Sequence, residues 1–210
     1  MANAAKFWDR MAARYSRQPI ADEEAYQHKL ALTREHLGAH MHVLEVGCGT
    51  GSTAILHAPH VAQLLATDIS ANMLAIAEQK ARAEGLENIR FVQCAVEDVP
   101  VADDSQDIVL ALSVLHLLPN WPTAIQGLYA KLKPGGLLIS STACIGDMGG
   151  PMRLLPPVMK LLPGLPSVQA FSAGVLTEAM RDCGFELVDR WQPGPDKALF
   201  LVAVKPHSKE

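Results

Sequence analysis

The feature that most constrains this chain is the run Val43-Leu-Glu-Val-Gly-Cys-Gly-Thr-Gly-Ser52, an apolar strand that passes straight into alternating glycines. Glycine is required where a strand-to-helix turn is tight and a ligand must approach the backbone with no Cβ in the way. The spacing is GxGxG. The dinucleotide fingerprint is GxGxxG, which aims a helix N-terminus at a pyrophosphate. About 20 residues further on, a second apolar strand ends in Ala66-Thr-Asp68, where a carboxylate at the strand tip can accept both hydroxyls of a ribose.

The rest of the chain alternates in the same rhythm. Asp22 to Leu37 reads as a helix with acids in its first turn and Gly38 as its stop. His42–Val46 is the first strand, residues 52–58 start a helix that Pro59 ends, and Gln63–Thr67 is the second strand. Ser70 caps a helix through Glu84 that carries Met73, Leu74, Ala77 and Ala81 on one face, with Gly85 beyond it. Arg90–Gln93 and Asp107–Leu112 are strands three and four, and Trp121–Leu132 is a helix with Pro122 in its first turn. Lys133-Pro-Gly-Gly136 then turns into strand five, Leu137–Ser141.

Strands and helices alternating at this spacing predict βαβ units and a mostly parallel sheet covered on both faces. Phe185–Trp191 and Ala198–Val204 have no room for a crossover helix between them, so that pair must be antiparallel. The expected fold is therefore a Rossmann-like, doubly wound α/β sheet of seven strands with one antiparallel strand near the C-terminus.

Composition narrows the function. A hydrophobic fraction of 49% in 210 residues fits one globular domain, residues 1–210. A net charge of −4 without Lys/Arg runs gives no footprint for nucleic acid. No apolar leader or 18-residue apolar stretch is present, so a cytoplasmic protein without stable membrane insertion is expected. Cys48, Cys94, Cys144 and Cys183 form no CxxC pair, which fits reduced thiols and no zinc site. His57 and His60 flank Pro59 with no Cys or carboxylate near in sequence, and no metal is expected.

S-adenosylmethionine (SAM) has no phosphate, and a loop bending around its sulfonium and amino-acid part suits the GxGxG spacing. Glu45 places a carboxylate beside such a cation. The chain resembles the class I SAM-dependent methyltransferases in three further segments, Cys94–Pro100, Asp103–Leu118 and Leu132–Ile139, and in the order of all these motifs across residues 40–142. Phe7-Trp-Asp-Arg-Met-Ala-Ala-Arg-Tyr15 is similar to the opening of the quinone-biosynthesis and related small-molecule methyltransferases, where it forms part of a lid over the cofactor.

The resemblance implies roles by position. Gly47, Cys48, Gly49 and Gly51 would line the methionine part of SAM, with Glu45 beneath. Asp68 would bind the ribose, Ile69 and Met73 would flank the adenine, and Val96 and Glu97 would meet its edge. Leu112 and Ser113 would pass near the methionine moiety and the methyl. Tyr15 and Trp8, in a lid segment spanning residues 1–21, would close over the ligand. Many relatives carry Asp where this chain has Ala95, which leaves the adenine amino group to Glu97 or a backbone carbonyl.

Methyl transfer from a sulfonium is an in-line displacement that needs alignment and exclusion of water, with a base only if the nucleophile must lose a proton. His116 and Asp147 are the candidate bases, although a packed histidine among Leu115, Leu117 and Leu118 is equally natural. Residues 144–172, rich in Pro, Gly, Met and Leu, are expected to form a substrate lid for an apolar small molecule. The expected activity is SAM-dependent methylation at O, N or C of a small, fairly apolar acceptor, by a monomer or homodimer, releasing S-adenosylhomocysteine (SAH). A non-catalytic SAM- or nucleoside-binding protein is the alternative, because fold does not dictate function. A nicotinamide-dependent oxidoreductase is disfavoured by the glycine spacing.

Overall fold

The computed structural model describes residues 2–149, 165–194 and 196–207. The chain divides into two compact units, Met1–Val99 and Pro100–Glu210. The first unit holds helices α1 (Ala2–Tyr15), α2 (Glu23–Arg34), α3 (Ser52–His57) and α4 (Ala71–Ala83), with strands β1 (His42–Val46), β2 (Gln63–Asp68) and β3 (Ile89–Gln93). The three strands are parallel, with β2 between β1 and β3; Glu45 pairs with Ala66 and Asp68 with Gln93. Four of five β1 residues are buried, as expected of a strand covered on both faces.

Local signals account for most boundaries here. Asp22 caps α2 by accepting from the Ala25 N–H, and Ser70 caps α4 by accepting from Met73 N–H. Met73, Leu74, Ala77 and Ala81 are the buried face of α4, as the periodicity requires. Helix α2 stops at Arg34, not Leu37, because the N–H groups of His36 and Leu37 bond three residues back and tighten the last turn. Pro59 sits in a 3-10 turn, Ala58–His60, that follows α3 directly.

The second unit holds β4 (Gln106–Leu112), α5 (Trp121–Lys131), β5 (Leu132–Thr142), α6 (Ala173–Asp182), β6 (Glu186–Trp191) and β7 (Leu199–Val204). Strand β4 pairs with β5 in parallel, while β7 runs antiparallel to both β5 and β6. The antiparallel C-terminal pair is thus where the missing crossover put it. Strand β5 starts five residues earlier than expected. Gln106 pairs with Leu132, the register then shifts, and Ile108 pairs with Leu137, so the Lys133–Gly136 stretch is a bulge inside the strand. Lys205 on the other side exchanges backbone bonds with Gly135 and Gly136 and keeps that bulge paired.

Helix α6 had no counterpart in the sequence reading; Ser172 caps it, and Leu176 and Met180 are buried. Of the expected insert at 144–172, residues 150–164 lie outside the described residues. Its two described ends pack Ile145, Met148 and Val168 together against Leu117 and Ala143. No helix among the described residues is long and apolar enough to cross a membrane.

Candidate cofactor site

Strand β1 delivers Glu45 and the glycine turn, and β2 delivers Asp68 beside it. The two elements are stitched past their last paired residues: Cys48 N–H donates to the Thr67 carbonyl at 2.9 Å, and Gly49 N–H donates to Asp68 Oδ2 at 2.9 Å. The other carboxylate oxygen of Asp68 accepts from Ser70 N–H at 2.9 Å. One carboxylate therefore fixes the glycine turn and the start of α4 together. Burial raises the Asp68 carboxyl above its usual range, opposed by those backbone bonds and assisted by the nearby charge of Asp9.

Gly47, Gly49 and Gly51 all adopt positive φ. Gly51 is also hemmed in: a Cβ there would stand 2.6 Å from that of Ala77 in α4. Among the described residues the only atom within 4 Å of a Cβ at Gly49 is Cε1 of Tyr15, at 3.9 Å, so this face of the turn has room for a ligand. Lys80 of α4 bonds the Thr50 carbonyl, Thr50 Oγ1 and Ser52 Oγ at 3.0–3.2 Å and ties down the far side of the turn.

Glu45 is 2% exposed, and its Oε2 has no hydrogen-bond partner. Desolvation, with a smaller contribution from Asp68, pushes its carboxyl up to about 8. Cys48 is buried beside it, its thiol raised well above the usual value by the same loss of water. A buried carboxyl with one unpartnered oxygen, on the strand that leads into an open glycine turn, fits a ligand that brings positive charge, because an opposite charge nearby restores the ionised form. The donor set thus fits SAM, whose cationic sulfonium and ammonium are the groups such a carboxyl would answer.

The first unit gathers most of the expected residues. Ile69 follows Asp68, and its carbonyl accepts from Gln93 Nε2 at 3.0 Å. Met73 is buried in α4. The Asp68 carbonyl accepts from Cys94 N–H at 3.1 Å, and a 3-10 turn two residues later carries buried Val96 and exposed Glu97. Tyr15 and Trp8 meet edge-to-face with ring centroids 6.2 Å apart. His57 is buried and His60 exposed, and among the described residues no group of three His, Cys, Asp or Glu side chains could hold a metal.

Leu112, Ser113, His116 and Asp147 belong to the second unit. Ser113, just past β4, has φ 60°, a left-handed conformation that costs a non-glycine residue about 1–2 kcal/mol. Its N–H donates to the Ser141 carbonyl at 2.7 Å, which helps hold it there. Burial lowers His116 to about 4, so the imidazole is neutral at physiological pH, and its Nδ1 is buried without a partner. Asp147 is exposed and accepts from Ala173 N–H at 2.6 Å, which makes it a cap for α6.

Two residues of the first unit escaped the sequence reading, Asp9 and Lys80. Asp9 stands inside the quoted Phe7–Tyr15 segment, but nothing in the sequence names its partners. Lys80 is 28–30 residues from the groups it holds, and no local pattern marks it.

Residues 43–136 match the family model described as a methyltransferase domain. Over that segment the chain is similar to SAM-dependent methyltransferases. YcgJ of Bacillus subtilis, an uncharacterized methyltransferase, is 33% identical over 94 residues, 45% of this chain and 37% of YcgJ. The YcgJ crystal structure aligns with 87% of this chain and 100% of its own at a TM-score of 0.69 and 19% identity, which carries the fold class. A demethylmenaquinone methyltransferase of Porphyromonas gingivalis is 39% identical over 101 residues, 46% of this chain and 41% of the relative. A tRNA 5-carboxymethoxyuridine methyltransferase of Escherichia coli is 36% identical over 100 residues, 47% and 38%. The chain spans about two fifths of the length of these curated relatives.

Proposed function

We propose that this protein binds SAM through its first unit and transfers the methyl group to O, N or C of a small, fairly apolar acceptor. The observation that carries the cofactor half is the pairing of an open, positive-φ glycine turn with Asp68 and a buried Glu45 whose Oε2 lacks a partner. When bound, SAM supplies an activated methyl on a sulfonium. The chain's own residues position it: Asp68 keeps acceptor capacity on both oxygens for the ribose hydroxyls, while its backbone bonds hold the turn. Gly49 leaves room for the ligand, and residues 1–21, with Tyr15 and Trp8, act as a lid that excludes water.

His116 is our candidate base where the nucleophile must lose a proton, because it is neutral at physiological pH. Asp147 is the weaker candidate, since its carboxylate caps α6. The apolar segment 144–172 is proposed as the wall that selects the acceptor. The similarity to a demethylmenaquinone methyltransferase supports a quinone-like phenol. The similarity to a tRNA methyltransferase favours a second reading, a nucleic-acid acceptor, against which the net charge of −4 weighs.

Calorimetric titration with SAM, SAH and NADH is the direct test, followed by an acceptor screen spanning phenols, amines and tRNA. Binding of the adenosyl ligands alone, weakened at least about tenfold in Asp68→Ala as for a lost charge-assisted bond, supports the assignment. Preference for NADH, or an Asp68→Ala variant of unchanged affinity, overturns it. Turnover with no acceptor of any class would favour the non-catalytic binding protein.

A further inference from the structure

Helix α1 is fastened at two places, and both are parts of the cofactor site. Near its middle, the Asp9 carboxylate accepts from Ser70 Oγ at 2.7 Å and from Asn72 N–H at 3.1 Å; the Asp9 carbonyl accepts from Asn72 Nδ2 at 3.1 Å. At its C-terminal end, the Tyr15 ring lies over the open face of Gly49. Ala12, between them, is buried. Ser70 is the hinge of this arrangement, since its N–H goes to Asp68 Oδ1 and its hydroxyl to Asp9. Two carboxylates, one from the helix and one from the ribose position, are thus bridged by a single serine. The Asp9 carboxyl is held below its usual range, chiefly by the Ser70 hydroxyl and then by the Asn72 N–H.

We propose that Asp9 is a positioning residue that latches α1 across the glycine turn and Asp68, and that release of this latch sets the rate at which cofactor enters and product leaves. The inference rests on the SAM reading above. The chemistry suits a reversible catch. Asp9 uses one carboxylate oxygen for two bonds at the start of α4, close to solvent, so the contact has direction without the cost of deep burial. A bound ribose drawing on Asp68 and a docked α1 drawing on Ser70 share one serine. Occupancy and closure should therefore favour each other.

The test uses the full chain and SAH as probe, with association and dissociation rates measured by stopped-flow fluorescence. Asp9→Ala should speed SAH dissociation at least tenfold while leaving association equal or faster. Asp9→Asn keeps an oxygen acceptor in place and should remain within about threefold of the parent. Limited trypsin digestion supplies an independent readout, because Lys6, Arg10, Arg14 and Arg17 all lie in or beside α1. In the parent, SAH should slow cleavage at Arg10 and Arg14; in Asp9→Ala that protection should be lost. If Asp9 only caps α4, Asp9→Ala will lower the melting temperature yet leave the dissociation rate and the tryptic protection as they were, and the latch is refuted. A parent protein that binds no SAH at all refutes the cofactor reading instead.

Discussion

Gly49 and Gly51 sit two residues apart in one turn, both with positive φ, yet substituting alanine should break different properties. At Gly49, where φ is +55°, the added methyl meets nothing nearer than the Tyr15 ring at 3.9 Å. The folding cost is then the left-handed backbone alone, about 1–2 kcal/mol. At Gly51 the same conformational cost applies, and the methyl would also stand 2.6 Å from Cβ and 3.3 Å from Cα of Ala77, with Phe91 at 3.2 Å. Two of those contacts are to an alanine on a buried helix face, so little can yield. Overpacking of this kind adds about 1–3 kcal/mol, for a total near 2–5 kcal/mol. Against an ordinary domain stability of about 5–15 kcal/mol, that is a severe loss.

Urea denaturation followed by far-ultraviolet circular dichroism would measure both variants, and titration with SAH would read the site. Gly49→Ala is expected to fold with a modest loss and to bind SAH at least tenfold more weakly, because its methyl projects into the open face. Gly51→Ala is expected to lose most of its stability, with part recovered in the double variant Gly51→Ala/Ala77→Gly beyond the sum of the singles. Equal stability losses at the two positions, or no coupling between residues 51 and 77, would show that contact with α4 does not decide the outcome.

Further expectations follow from the buried ionisable groups and the clamp on the turn. Glu45, raised to about 8, is protonated in the free protein at neutral pH and should ionise when a cation binds, so SAM affinity should rise with pH and level off above about 8. Calorimetry in buffers of different ionisation heat should register proton release at pH 7, and Glu45→Gln should abolish it; zero release in the parent defeats this reading. His57 is fully buried with both ring nitrogens unpartnered and lowered to about 4, mainly by desolvation. Its folded value lies below the unfolded one near 6.5, so the unfolded chain takes up the proton first and stability falls as pH drops from about 6.5 to 4, by roughly 2 kcal/mol at pH 5. His57→Leu should flatten that acid dependence in thermal melts, and an unchanged slope would assign the acid sensitivity elsewhere. Lys80→Met should keep the fold while weakening SAH several-fold, since the turn loses three oxygen partners; an unaltered dissociation constant would make Lys80 a bystander.

How much of this was legible in the sequence depended on whether the cause was local. β1, the Ser70 cap and the buried face of α4 are written in short-range patterns, and they appear where those patterns put them. Asp68 was found from its spacing to the glycines. Strand β5 was misjudged at its start because Lys133-Pro-Gly-Gly136 carries every mark of a turn, while Lys205, some 70 residues away, keeps it paired. Helix α6 was missed because it follows directly on an apolar, proline-rich stretch that masks its Ser172 cap. In the site, the glycines announce themselves through composition. The bonds of Lys80 to Thr50 and of Asp9 to Ser70 arise only when distant segments meet, and no period or cap encodes them.

The catch between Asp9 and Ser70 spans 61 residues of chain, which has a meaning for how the protein is made. Synthesis proceeds from the N-terminus, so α1 emerges well before the serine that receives it. Until the first turn of α4 exists, Asp9 lacks Ser70 and Asn72 as partners. At about 5–20 residues per second, the nascent helix waits several seconds for that anchor. The segment proposed as a lid is thus made before the helix start that receives it.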